Sequence, residues 1–187
     1  MAPSQLSAAR LNGKVALVTG SGRGMGRQHA LQLASCGASI IINYASNSSS
    51  AEKVVQEVKD LGQDAIAIKA DISKPPQIKM LFEEGVKHFG KIDIVMSNSG
   101  LEHFGAIEDV TEDDFNRIFA VNTRGQFFVA QQAYKHLSDG GRLILTSSIS
   151  AQTKSVANHA VYSGSKAAVE AFVRCFAHGN QELIRYS

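Results

Sequence analysis

Tyr162 and Lys166, four residues apart, are the pair in this sequence best suited to moving a proton. In a helical stretch that spacing is about one turn, so the phenol and the ammonium leave from the same face. A cation beside a phenol favours the phenolate. Such a phenol gives or takes a proton near neutral pH, as reduction of a carbonyl or oxidation of an alcohol requires. Ordinary helices carry the same spacing with a packed tyrosine and a solvated lysine. The case for chemistry therefore rests on the elements that precede the pair.

Those elements alternate between strand and helix. Lys14 to Thr19 is a short apolar run rich in strand formers, and it empties into Gly20-Ser21-Gly22-Arg23-Gly24-Met25-Gly26. Helical periodicity follows from Arg27 to Ser35, ending at Cys36-Gly37. Strand, glycine turn and helix together form the context in which a backbone approaches a pyrophosphate, because the helix start offers free N–H groups and partial positive charge. A glycine turn that binds nothing is the alternative. The second strand, Ser39 to Asn43, ends in Asn43-Tyr44-Ala45-Ser46, where a site choosing NAD commonly carries an acid on the ribose hydroxyls. No acid stands there. Ser46, Asn47 and Arg23 can instead receive a 2′-phosphate, which points to NADP; otherwise Arg23 is a solvated loop residue.

An amphipathic helix is expected from Ser48 to Leu61, a third strand from Ala65 to Lys69, a third helix from Pro75 to Phe89 and a fourth strand from Ile92 to Met96. Asp71, with Ile72 beside it, sits just past the third strand, either on the adenine side of a bound nucleotide or as a cap for the helix beginning near Pro75 and Pro76. Ser97-Asn98-Ser99-Gly100 again sets polar side chains and a glycine at a strand's C-terminal edge. A long helix from Thr111 to Leu137 begins with acids, as its dipole prefers, and carries Val121-Asn122-Thr123-Arg124-Gly125 near its middle, where a kink is expected. Asn122 at such a kink holds a carbonyl or a water, or else satisfies local backbone. Gly140-Gly141 turns into a fifth strand, Arg142 to Thr146, ending at Ser147-Ser148, whose hydroxyls approach Tyr162 along the chain. The last helix starts near Val156 or Tyr162 and runs to Ala177.

With 187 residues, 44% of them hydrophobic, the chain has room for one domain, read here as residues 13–177 after a flexible lead at 1–12. Nineteen basic against 17 acidic residues, without a basic block, indicate neither a nucleic-acid nor a membrane surface. No apolar run approaches a membrane span, and Cys36 and Cys175 are expected to be buried free thiols without zinc-like spacing. A soluble cytoplasmic protein with a small-molecule partner is the expectation.

Taken together, Thr19-Gly20-x-x-x-Gly24-x-Gly26, Asn98-x-Gly100, Asn122, Ser148 and Tyr162-x-x-x-Lys166 resemble, in order and spacing, the short-chain dehydrogenase/reductase family over residues 13–177. Ser97-Asn98-Ser99-Gly100 and Asn122 to Phe128 further resemble its fungal branch of trihydroxynaphthalene reductases and 17β-hydroxysteroid dehydrogenases. The resemblance implies an α/β, Rossmann-like, doubly wound parallel sheet in three layers. It also implies an NADP(H)-dependent reductase acting on a cyclic, aromatic or polyketide-like carbonyl, with the corresponding alcohol as product. Ser148 would orient the carbonyl, Tyr162 act as acid or base, Lys166 favour the phenolate and hold the ribose, and Asn122 anchor a proton-relay water. Cofactor contacts would come from Gly20, Arg23, Gly24, Met25, Gly26, Asn43, Tyr44, Ala45, Ser46, Asp71, Ile72, Asn98, Gly100, Tyr162 and Lys166.

Residues 178–187 resemble none of the strand, Pro-Gly loop, lid and last strand with which the family continues, so the chain reads as truncated there. A catalytically poor nucleotide-binding remnant is the alternative function. The fifth strand is expected to present an unpaired edge, each buried backbone group costing about 1–3 kcal/mol against a domain's margin of about 5–15 kcal/mol. Aggregation, or association as a homodimer or tetramer through the helices around 111–137 and 156–177, is expected.

Overall fold

The structure, a computed structural model, describes residues 11–154 and 156–179. Its strands are β1 (Val15–Val18), β2 (Ser39–Tyr44), β3 (Ala65–Lys69), β4 (Ile92–Ser97) and β5 (Leu137–Leu145). All four pairings are parallel, in the order β3-β2-β1-β4-β5. Parallel neighbours need crossovers, and the helices supply them: α1 (Gly24–Ser35), α2 (Ser48–Asp60), α3 (Pro75–Phe89), α4 (Glu112–Phe119), α5 (Gln126–His136) and α6 (Ala160–Gly179).

Strand side chains alternate between faces, and β1 shows the consequence for the layers. Val15 and Leu17 join a core with Ile78, Leu81 and Phe82 of α3 and Val129, Ala130 and Ala133 of α5. Ala16 and Val18 join another with Ala30 and Ala34 of α1 and Val54, Val55 and Val58 of α2. The sheet is apolar on both faces because both are covered, which makes three layers. The chain runs outward from β1 to β3 and then returns to place β4 on β1's other side. This reversal opens a crevice at the carboxyl ends of β1 and β4.

Several elements depart from the sequence expectations. Leu11 and Asn12, read as part of the lead, are tied to the body: Leu11 N–H donates to Cys36 O at 2.8 Å, and Asn12 packs on Gly37. Residues 1–10 lie outside the described residues, as does the tail from 180 onward, whereas α6 passes Ala177 to Gly179. The helix expected from 111 to 137 is α4 and α5 joined by a π-helical turn, Ala120–Gly125. Strand β5 begins at Leu137 because Leu137 pairs with Ile92, and 138–141 then bulge out before Arg142 pairs with Ile94, with Gly140 at φ +70°. Helix α6 starts at neither expected residue but at Ala160, the preceding loop being turned at Asn158 (φ +60°). Neither cysteine is buried: Cys36 is half-buried at the C-cap of α1 and Cys175 is exposed on α6. Among the described residues no helix is long and apolar enough to cross a membrane.

Candidate active site

The crevice is a cleft of about 890 Å³ at the carboxyl edge of the sheet. All fifteen residues named above as cofactor contacts line it, from Gly20 of the glycine turn to Lys166 of α6. Asn122 and Ser148 do not.

The glycine turn is shaped by what its neighbours forbid. Gly20 has φ +63°, a conformation that disfavours any side chain, and at Gly26 a Cβ would lie 2.5 Å from Gly20 O and 2.6 Å from Asn98 Nδ2. Asn43 clamps the turn from β2, its Oδ1 accepting from Gly20 N–H at 3.0 Å while its Nδ2 donates to Ala70 O at 3.0 Å. Thr19, the first residue of the glycine motif, clamps it from just past the end of β1. Its Oγ1 accepts the N–H groups of Asn98 and Ser99, each at 2.9 Å, and Asn98 Nδ2 returns a bond to Thr19 O at 3.0 Å. Helix α1 then begins with Arg23 as an N-cap whose side chain makes no capping bond, so the first N–H groups of the helix face the cleft unmet.

Arg23 is exposed on the cleft wall that also carries Tyr44, Ala45 and Ser46, and among the described residues it makes no ion pair or hydrogen bond. Asn47 is otherwise engaged, capping α2 by accepting Ser50 N–H at 2.9 Å. Asp71 caps no helix: its Oδ1 accepts Ser73 N–H at 2.9 Å and Ser73 Oγ–H at 2.7 Å. Burial pulls its carboxyl up, but the Ser73 bonds and Lys74 outweigh that and hold it below its ordinary value.

Tyr162 and Lys166 lie on the opposite wall with Thr146 and Ser147. The Lys166 nitrogen sits 5.8 Å from the centre of the Tyr162 ring and donates to Thr146 O at 2.9 Å. Lys166 is 2% exposed, and that burial pushes its ammonium down to about 8. The Tyr162 hydroxyl makes no hydrogen bond among the described residues, so its proton is available to a ligand in the cleft. Behind it the ring stacks on His159 (4.4 Å, 15°), which stacks in turn on Phe104 (4.3 Å, 7°). His159 is 5% exposed, neither of its ring nitrogens has a hydrogen-bond partner, and Glu102 Oε1 lies 3.5 Å from Nε2. Nothing in the sequence pattern marked this three-ring stack.

Ser148 makes no hydrogen bond to Tyr162 among the described residues. It caps a 3₁₀ turn, Ile149–Ala151, and its Oγ pairs with Ser150 Oγ at 3.0 Å. Ser147 lines the cleft, its hydroxyl committed to Glu170 Oε1 at 2.9 Å and Lys166 O at 3.2 Å. Asn122 serves distant rather than local backbone: it exchanges two 2.8 Å bonds with Leu101 and donates to Ser165 Oγ at 3.0 Å. The π-helical turn thus ties the loop after β4 to α6.

Comparison with known proteins bears on this arrangement. The family model described as short chain dehydrogenase matches residues 14–185. Trihydroxynaphthalene reductase PfmaI of Pestalotiopsis fici is 58% identical over 175 residues, 94% of this chain and 62% of that protein. A short-chain dehydrogenase of Burkholderia cenocepacia solved in complex with NADP is 36% identical with a TM-score of 0.89, covering 94% of this chain and 74% of the other. Landomycin C-6 ketoreductase LanV, solved with bound NADP and rabelomycin, is 34% identical with a TM-score of 0.88, covering 95% and 76%. The chain spans less than two thirds of the length of the curated relatives it matches, from 62% to 66%. Since the match extends over nearly all of a chain whose sheet order, glycine turn and Tyr-Lys wall are those of one fold, the chain belongs to the short-chain dehydrogenase family.

Proposed function

We propose that the chain is the nucleotide-binding and catalytic part of an NADPH-dependent reductase acting on a carbonyl of a cyclic, aromatic or polyketide-like compound in secondary metabolism. One observation carries this reading: among the described residues a phenol with an uncommitted hydroxyl and a buried lysine share a single cleft with a helix N-terminus that has no side-chain cap and an arginine without an ion pair. The names of the relatives, a trihydroxynaphthalene reductase and a ketoreductase holding a polycyclic ligand, support the substrate class. No observation favours the alternative of a catalytically poor remnant.

The residues present fit an NADP(H) molecule. Gly24, Met25 and Gly26 at the start of α1 suit its pyrophosphate; Gly20 and Asn43 shape the turn beneath it; Arg23, Tyr44, Ala45 and Ser46 suit its 2′-phosphate. Asp71, with Ile72 beside it, and Asn98 fit its adenosine side, Gly100 borders Lys166, and Tyr162 and Lys166 fit its nicotinamide ribose. When bound, the nicotinamide supplies the hydride. The chain does the rest: Tyr162 donates the proton to the substrate oxygen, Lys166 stabilises the phenolate left behind, Ser148 turns from Ser150 to the carbonyl, and Asn122 anchors the water that returns a proton to Lys166. Following NADPH oxidation with a panel of quinones and cyclic ketones tests the reading; tight NADPH binding without turnover of any of them overturns it.

NADPH should bind at least about tenfold more tightly than NADH, since a charge-assisted contact is worth about 1.5–3 kcal/mol and 1.4 kcal/mol is a factor of ten. Fluorescence titration of both nucleotides checks this, and a preference that survives Arg23→Ala would remove Arg23 from the phosphate site.

Self-association belongs to the same proposal. Helices α5 and α6 together carry Phe127, Phe172 and Phe176 in edge and stacked contacts, with Phe127 and Tyr134 partly exposed beside them. Sedimentation should show a homodimer or tetramer; a monodisperse monomer would exclude it.

A further inference from the structure

Gln126 opens α5 directly after the π-helical turn and is fully buried. The residues of α5 that face the core after it, Val129, Ala130 and Ala133, are apolar, and an amide in their company is costly unless every polar atom is matched. Here all are engaged. Gln126 Oε1 accepts Thr146 N–H at 3.1 Å, and Nε2 donates both to Thr146 O at 3.0 Å and to Asn122 O at 3.1 Å. One side chain therefore grips the N–H and the C=O of a single peptide unit's residue, just past the end of β5, and fastens it to the π-helical turn. The same Thr146 oxygen is the acceptor of Lys166 Nζ, at 2.9 Å, in the one hydrogen bond that the Lys166 side chain makes among the described residues.

We propose that Gln126 is a positioning residue for the proton-transfer pair: by holding the Thr146 carbonyl between α5 and the turn at Asn122, it aims Lys166 at Tyr162. The proposal rests on reading Tyr162 and Lys166 as the reacting pair. A carbonyl at a strand end that lacks such a clamp is free to tilt, and an ammonium that follows it moves with respect to the phenol. Misplacement of about 1 Å at a reacting group costs up to about a hundredfold in rate. An apolar residue would fill the same space and leave Thr146 held only by its N–H bond to Ser97 O at 3.2 Å, with no Gln126 donor on its carbonyl, so packing alone does not account for an amide here.

The test uses the full chain with Q126M, which keeps length and bulk and removes all three bonds; Q126E, which replaces the donor by an acid; and V129A, a buried change on the same helix in the apolar core. The titration of Lys166 is followed by NMR of ¹³Cε-labelled lysine, alongside thermal melts. In Q126M the ammonium loses its fixed acceptor, and its midpoint should move down. In Q126E the fully buried carboxyl, facing the oxygens of Thr146 and Asn122, takes up a proton and donates a single bond in place of two, so the midpoint should move in the same direction as in Q126M but less. V129A should lower the melting temperature and leave the midpoint where it was. In turnover, Q126M should lose about tenfold or more in kcat with KM little changed. Q126E also serves if Q126M does not fold. A Lys166 midpoint unmoved in both Gln126 variants, or moved equally in V129A, overturns the proposal. Absence of turnover in the unsubstituted chain would overturn the reductase reading instead, and the lysine titration would still decide the role of Gln126.

Discussion

Tyr162→Phe is expected to lower carbonyl turnover by about 10²–10⁴-fold, the usual contribution of a positioned general acid, while leaving NADPH affinity unchanged. The substitution isolates one hydroxyl because everything else about the residue is held by its ring. That ring lies flat against His159 at 4.4 Å, a contact phenylalanine keeps, and Lys166 remains bonded to Thr146 O rather than to the phenol. The hydroxyl has no partner to strand among the described residues, so its removal leaves none of their polar groups unmet and should cost little stability. Single-turnover measurement of NADPH oxidation separates the chemical step from binding, which fluorescence titration reads independently. Normal turnover in the variant would mean that another group delivers the proton.

What the sequence made legible was whatever rests on local pattern. The run from Pro75 to Phe89 is bounded by prolines at its first turn and by Gly90, whose φ of +78° closes the helix, so both ends are written in residue type. The glycine turn is equally local: Gly20 and Gly26 must lack side chains because of what stands within a few ångströms, and only glycine answers that need. The residues expected at a nucleotide line one cleft, most of them because they stand at or just past the carboxyl end of β1, β2, β3 or β4, while Tyr162 and Lys166 reach it from α6.

The contacts that complete the site are tertiary and left no periodic trace. Asn122 reaches Leu101 and Ser165, and Gln126 reaches Thr146, across 20 or more residues. A kink could be expected where helix formers give way to Asn-Thr-Arg-Gly, but not that it would be a π-helical turn whose side chains join the loop after β4 to α6. The stack of Phe104, His159 and Tyr162 brings together residues on two loops and a helix. Ser148 was named from its place before Tyr162 in a motif, yet the 3₁₀ turn it caps directs its hydroxyl to Ser150.

Asp93 is the clearest case of a residue whose role only the fold reveals, and its removal should have the largest effect on stability. Within the apolar run Ile92–Ser97 it stands 4% exposed on a central strand, where a lone carboxylate would be prohibitive. It is tolerated because three donors converge on it: Val15 N–H at 2.9 Å, Lys14 Nζ at 3.1 Å and Lys91 Nζ at 3.2 Å. The carboxylate thereby pins the start of β1 to β4, the two strands whose far ends form the cleft. The lysines are half exposed and can return to water when Asp93 is lost, whereas the Val15 N–H cannot. Asp93→Ala should therefore cost about 2–4 kcal/mol, an unmet backbone donor plus a lost charge-assisted bond, or roughly 5–12 °C in melting temperature. Burial pulls the carboxyl up, but the Val15 N–H and the two lysines outweigh it and hold the group below its ordinary 3.8. A depressed folded-state value means that the ionised form stabilises the fold. The contribution is complete above the unfolded-state value near pH 4 and is lost as pH falls through the lower, folded one. Asp93→Asn keeps an acceptor for Val15 and gives up the charge. Its melting temperature should thus lie below that of the unsubstituted chain at pH 7, with the gap closing at pH 3; a gap of the same size at both values would show that the charge contributes nothing and that the hydrogen bond to Val15 alone joins the strands.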